Sequence, residues 1–210
     1  IDGSAQVRVL AGELTGPGCV DGNASVARFG ELTDGVADGD VLYVVDRWCS
    51  SIRRIDLVDG SVSTLTGGRG RWRADGPPAT AGFDGPHGIA LLDGRLYVTD
   101  TLNARIQVFA RDGKFLSEFG ERGLYVGNLS RPKGVGVSED GLVYVVESFF
   151  DHLLVFDRSG RFLLPIGGTG HRPGEFYLPS GVWAGSGGRV YVSDMFNGRV
   201  AVLQFLGGSL

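Results

Sequence analysis

A single short strand is written four times along this chain: Leu42-Tyr43-Val44-Val45-Asp46, Leu96-Tyr97-Val98-Thr99-Asp100, Val143-Tyr144-Val145-Val146-Glu147 and Val190-Tyr191-Val192-Ser193-Asp194. Its tyrosines stand 54, 47 and 47 residues apart. A period of that size, made of short strands and glycine turns, marks propeller blades stacked side by side. The second unit shows four strands, Gly88 to Leu91, Arg95 to Thr99, Arg105 to Phe109 and Phe115 to Phe119. Asp93-Gly94 and Asp112-Gly113 supply the positive φ that tight hairpins need. No segment keeps apolar residues at helical spacing between capping signals. The expectation is an all-β fold, a β-propeller of four four-stranded blades in one domain over residues 1–210, with units at about 13–67, 68–120, 121–167 and 168–210 plus 1–12.

The ends of the repeat are unequal. Unit four runs through Gly181 to Ala184, Arg189 to Ser193 and Arg199 to Phe205 and then lacks an outer strand. Residues 1–12 echo the outer-strand pattern Asp59-Gly60-Ser61-Val62-Ser63-Thr64-Leu65-Thr66-Gly67. Pairing Gln6 to Ala11 with Arg199 to Phe205 would close the ring and remove two exposed edges. The rival reading is that both ends are cuts in a longer array.

Thirty-six glycines without a period of three punctuate turns rather than build a collagen-like chain. Net charge is -4, so the chain as a whole exerts no pull on phosphate backbones. Arg69, Arg71 and Arg73 around Trp72 are a thin footprint for RNA, and no nucleic acid partner is expected. No run of eighteen apolar residues occurs, so no membrane span is expected either.

The units resemble NHL repeats. Pro86-His87-Gly88-Ile89-Ala90, Tyr97-Val98-Thr99-Asp100, Asn103, Arg105-Ile106-Gln107-Val108-Phe109 and Phe119-Gly120 follow that pattern closely, and Pro132-Lys133-Gly134-Val135 and Pro179-Ser180-Gly181-Val182 open the next two units. The first unit departs, with Thr33-Asp34-Gly35-Val36 in place of the proline motif. The resemblance implies a β-propeller; it does not imply one function, since NHL proteins bind proteins, bind RNA, sense ligands or catalyse lyase reactions.

Several residue sets are candidates for chemistry or binding. In a propeller the first strand of each blade lines the axis, which brings Asp34, His87, Lys133 and Ser180 to one mouth of the channel. A carboxylate, an imidazole, an ammonium and a hydroxyl there are candidate catalytic groups, or else a hydrated rim with an Asp34 to Lys133 ion pair. The acids Asp46, Asp100, Glu147 and Asp194 look like a set of four ligands but read as structural corners that accept bonds from backbone and from a following Asn103 or Asn197 and Arg105 or Arg199; unit three breaks the pattern, with Phe150 and His152 at those positions. His87, His152 and His171 fall on loops of one face and are candidate metal ligands. No cofactor is expected of a binding module; zinc or calcium is expected of an enzyme.

Two residues beyond each corner acid stand Trp48, Leu102, Phe149 and Phe196, with Phe150 beside Phe149. Apolar residues at four equivalent turns are candidate anchors for a protein partner. Cys19 and Cys49 lie in loops that the alternating strand directions place on one face of unit one, and Cys49 replaces the Asn of units two and four. A disulfide between them is expected, and with it an extracytoplasmic location, periplasmic or secreted. The reading is a non-catalytic binding or assembly module presenting one propeller face to a protein partner. The alternative is a metal-dependent lyase or hydrolase with its site at the channel mouth.

Overall fold

The computed structural model describes residues 8–13, 16–68, 70 and 81–204. Among them are fifteen strands and two 3-10 turns, Thr101–Asn103 and Ser186–Gly188. Blade one comprises β1 (Leu32–Asp38), β2 (Val41–Asp46), β3 (Ser51–Asp56) and β4 (Val62–Gly67). Blade two comprises β5 (Pro86–Leu92), β6 (Arg95–Asp100), β7 (Arg105–Ala110) and β8 (Phe115–Phe119). Blade three holds β9 (Pro132–Val137), β10 (Val143–Glu147), β11 (His152–Phe156) and β12 (Phe162–Gly167); blade four holds β13 (Pro179–Ala184), β14 (Arg189–Asp194) and β15 (Arg199–Gln204). Each blade is an antiparallel meander in chain order, and blade four has three strands among the described residues.

The four sheets stand side by side, with inner strands β1, β5, β9 and β13 in sequence around the axis. Apolar residues facing opposite ways along each strand feed two interfaces, as a period of two requires. Tyr43, Val45 and Ile52 of blade one pack on Ile89, Leu96, Val98 and Phe109 of blade two, with Phe83 between them. Tyr97, Ile106 and Val108 repeat this against blade three around Leu129, and Tyr144, Leu153 and Val155 repeat it against blade four around Phe176. The repeated tyrosine is therefore the residue each blade pushes into the next.

The glycine of the Pro-x-Gly motif has a packing reason. A Cβ on Gly88 would lie 2.5 Å from the Lys133 carbonyl oxygen, and one on Gly134 would lie 2.8 Å from Gly181 Cα. Inner strands approach this closely only without side chains.

The expected closure by Gln6 to Ala11 against Arg199 to Phe205 does not form among the described residues, where Arg199–Gln204 pairs with β14 alone. Gln6, Val7 and Phe205 lie outside the described residues, but Arg8 to Gly12 sit on the far side of blade one and belong to no strand. No contact comparable to those between successive blades joins blade four back to blade one among the described residues. Residues 8–12 do keep an outer strand's place relative to the next blade. Leu10 O stands where a Cβ on Gly60 would touch it at 2.6 Å, as Leu65 O stands to Gly113. Gly12, with φ of +96°, lies under Phe29 as Gly67, with φ of +86°, lies under Phe83. The echo in the sequence thus fixed the strand's type, and the blade it covers is the first.

Candidate functional site

The face that carries the β2–β3 turns is built on four buried acids. Asp100 accepts from Asp84 N–H at 2.7 Å, Asn103 Nδ2 at 2.9 Å, Arg105 Nε at 2.8 Å and Gln107 Nε2 at 3.0 Å. Asp194 repeats this with Tyr177 N–H, Asn197 Nδ2 and Arg199 Nε at 2.7, 2.7 and 2.8 Å. All four acids are buried, and a buried carboxylate is tolerable only when bonded so fully. The corner is therefore structural in these blades.

Blades one and three depart in different ways. Asp46 is bonded by Gly30, Glu31 and Cys49 N–H groups and by Arg53 Nη1 at 3.2 Å. Arg53 stands in the register of Gln107 rather than Arg105, a shift of two residues that keeps it on the same side of the strand. Fully buried, it also donates to Asp21 Oδ1 at 2.6 Å and to the carbonyls of Val20 and Arg28, and lies 5.2 Å from the Phe29 ring centre. In blade three the longer Glu147 spans the gap alone, accepting from Arg131 N–H at 2.5 Å and Phe150 N–H at 2.8 Å. His152 stands opposite Glu147 in the β10–β11 ladder.

Because each acid holds its corner to the loop before the inner strand, the residues at the turn tip are pushed outward. Leu102 N–H donates to Asp84 O, Ser148 N–H to Arg131 O and Phe196 N–H to Tyr177 O, all within 3.1 Å. At the tips Trp48, Leu102, Phe149 and Phe196 are 52, 50, 53 and 59 % exposed. They are not packed away between blades. Phe150 is half-buried, edge-on to Phe149 at 4.8 Å. The lead-in loops contribute neighbours that the repeat pattern did not single out: Arg131 Cζ lies 6.0 Å from the Phe149 ring centre, and Tyr177 stacks edge-on with Phe196 at 5.4 Å. Their signal in the sequence is position alone, sixteen and seventeen residues ahead of the corner acid.

At the axis the inner-strand residues begin on this same face. Asp34 Oδ2 accepts from Ile89 N–H at 3.0 Å and Oδ1 from Gly35 N–H at 2.8 Å, so its carboxylate ties blade one to blade two instead of pairing with Lys133. Desolvation pushes its pKa up against those bonds. Burial also pushes His87 down, helped by the positive charges of Lys133 and Arg47. Lys133 is pushed down by burial and by Arg131 and Arg47. Ser180 Oγ shares a hydrogen bond with Ser193 Oγ at 3.0 Å. Lys133 and Arg131 thus stand at this mouth beside Asp34, with Arg47 paired to Glu31 at 3.1 Å, and the apolar turn tips project from the same face.

The three histidines stay apart. His171 Nδ1 donates to Asn197 Oδ1 at 2.6 Å, His152 opens β11, and His87 lies at the axis. Among the described residues no three His, Cys, Asp or Glu side chains are grouped to hold a metal ion. Of the three, His171 alone lies on a loop, since His87 lies in β5 and His152 in β11, and sequence order says nothing of their distance from the axis.

Cys19 and Cys49 form a disulfide, Cα to Cα 5.7 Å, closing a sequence separation of 30. It ties the lead-in segment of blade one to the turn beside Trp48. Arg69, Arg71, Trp72 and Arg73 lie outside the described residues. No helix among the described residues is long and apolar enough to cross a membrane.

The family model for the NHL repeat matches residues 83–109, the inner three strands of blade two with their lead-in. RING finger protein nhl-1 of Caenorhabditis elegans is 40 % identical over 80 residues, covering 33 % of this chain and 8 % of that protein. Solved structures share the architecture: a streptogramin B lyase has a TM-score of 0.57 at 12 % identity, over 83 % of this chain and 55 % of that one. Catalytically inactive virginiamycin B lyase from Staphylococcus aureus with quinupristin gives 0.57 at 14 %, over 88 and 60 %. A nidogen/laminin complex gives 0.54 at 23 %, over 83 and 65 %. The chain thus spans under a tenth of the curated relative and between half and two thirds of these solved chains.

Proposed function

We propose, for a propeller whose second blade carries an NHL repeat, a role as a non-catalytic binding or assembly module that presents its β2–β3 turn face to a protein partner. The observation that carries this reading is the half-exposure of Trp48, Leu102, Phe149 and Phe196 at four equivalent turn tips. Rigid apolar anchors around a polar centre are what protein interfaces use. Arg131 and Lys133 beside them favour a partner segment in which apolar side chains alternate with carboxylates. The disulfide supports an oxidising compartment, and hence a periplasmic or secreted setting.

The test is the triple substitution of Trp48, Phe149 and Phe196 by Ser, compared with the unaltered protein in cross-linking capture from the native environment. The partner recovered by the unaltered protein is lost, because hot-spot aromatics cost about 2 kcal/mol or more each, while the circular dichroism spectrum is unchanged. Equal recovery by both proteins, or loss of the folded spectrum, overturns the reading. A second reading, a lyase or hydrolase working through Asp34, His87, Lys133 and Ser180 with bound zinc or calcium, is favoured by the opposed pKa displacements at the axis. It requires metal to copurify and His87→Ala to lose it.

A further inference from the structure

The segment Arg131-Pro132-Lys133 is fixed through its backbone and left open at its side chains. Arg131 O accepts from Ser148 N–H and Ser148 Oγ, both at 3.1 Å. Pro132 O accepts from Thr101 Oγ1 and Lys133 O from Thr99 Oγ1, both at 2.7 Å. Thr99 Oγ1 in turn accepts from Gly88 N–H at 2.7 Å, which sets Lys133 beside His87 on the neighbouring inner strand. Yet the Lys133 ammonium, the Arg131 guanidinium and the His87 ring make no hydrogen bond or ion pair among the described residues. By contrast Arg47 on the same face pairs with Glu31, Arg105 with Asp100 and Arg199 with Asp194.

The repeat does not require these charges. Pairing opposite the corner acids aligns Pro132 with Pro86 and Pro179, so Gly85 and Leu178 hold the place of Arg131, and His87 and Ser180 that of Lys133. Burial and the charge of Arg131 both work against the half-buried Lys133 ammonium. An anion held by both cations offsets those costs, and a carboxylate has an oxygen for each. Apolar tips stand beside the pair. Leu102 follows Thr101, which is bonded to Pro132, and the Phe149 ring centre lies 6.0 Å from Arg131 Cζ; both side chains are half-exposed. A net charge of -4 works against a long polyanion, whereas one carboxylate next to an apolar group matches both features of the mouth.

We propose that the mouth between blades two and three is a carboxylate site, in which Lys133 and Arg131 hold the anion and Leu102 and Phe149 cover the apolar group next to it. It rests on the reading of this face as a partner surface only for the source of the carboxylate, an acidic side chain or a chain terminus of the bound segment.

The experiment is titration of the full chain with small probes, followed by calorimetry and by the amide resonances of Leu102, Lys133 and Phe149. N-acetylphenylalanine represents a chain terminus and N-acetyl-aspartyl-phenylalanine amide an acidic side chain, while N-acetylphenylalanine amide carries the ring without the charge. At least one acid moves these resonances saturably, the tighter of the two identifies the source, and the uncharged amide binds at least tenfold more weakly. Lys133→Gln weakens the acid at least tenfold with an unchanged circular dichroism spectrum, and Lys133→Arg restores binding to within about threefold. Arg172→Gln, which removes an exposed cation from the loop before β13, leaves binding unchanged. Equal affinity for N-acetylphenylalanine and its amide overturns the proposal. So does acid binding that survives Lys133→Gln, the absence of saturable binding by either acid, or inorganic phosphate bound more tightly than both. These probes need no partner protein, so their failure strikes the carboxylate site and leaves the capture test of the turn tips standing.

Discussion

Val44, on the face of blade one turned away from blade two, is buried, whereas Val200 and Val202, on the face of blade four turned away from blade three, stand mostly in solvent. Both faces alternate apolar residues at the same strand positions, so the difference does not come from the strands. It comes from the segment ahead of β1. Gly12 under Phe29 and Leu10 over Gly60 put a segment in the place of an outer strand against blade one, and Cys19 and Arg53 hold it there. A sheet face is finished by whatever lies on it, and the repeat pattern alone does not say what that is.

The sharpest way to break this comparison is to release the cover. Replacing Cys19 and Cys49 by Ser removes a cross-link over about thirty residues, which the chain-entropy model values at about 3 to 4 kcal/mol. The expected result is a urea midpoint lowered accordingly, with amide exchange in β2 and β3 faster and that of β14 unchanged. Equal acceleration in blades one and four would mean that the bridge stabilises the arc as a whole and not its first flank.

A smaller effect compares single side chains. Val44→Ala removes two buried methyl groups and leaves a gap, at a cost of about 2 kcal/mol. Val202→Ala changes stability by less than about 0.5 kcal/mol. Similar losses at both sites in denaturant titration would show that the two faces are covered alike.

The smallest effect lies on the axis, between the flanks. His87 has its pKa held below the usual 6.5, by burial first and then by Lys133 and Arg47. The native state therefore binds fewer protons than the unfolded chain as pH falls through 6.5 and down to the folded value, and stability is lost across that window. His87→Gln removes this slope, so the two proteins differ below pH 6.5 and agree above it. Parallel stability curves for the two proteins would place His87 in open solvent.

Most of the fold was legible because it is local. The tyrosine strands, the Asp-Gly hairpins and the Pro-x-Gly inner strands each follow from a few neighbouring residues, and β5 to β8 form where those signals stand. The corner acids and the Cys19 to Cys49 pair were legible for the same reason, since strand alternation fixes which turns share a face. The partner of residues 8–12 was not. Their pattern specifies an outer strand, but which blade it meets depends on the angle between successive sheets, summed over four blades. The histidines show the same limit, because a face is set by strand direction while distance from the axis is set by loop path. Arg53 escaped the repeat pattern by standing two residues later than Arg105, a shift that keeps its side of the strand and hence its acid.

The bridge across the first blade also determines how the molecule bears tension. Between Cys19 and Cys49 lie β1 and β2, and a pull on the segment ahead of Cys19 passes through sulfur directly into the turn before β3. The chain between them, a sequence separation of 30 and about 100 Å of contour at full extension, carries no load while the bond is intact. Under force the first two strands are thus locked out of the line of pull, and blade one can lengthen only through β3 and β4. A reducing environment would hand that hidden length back to the chain.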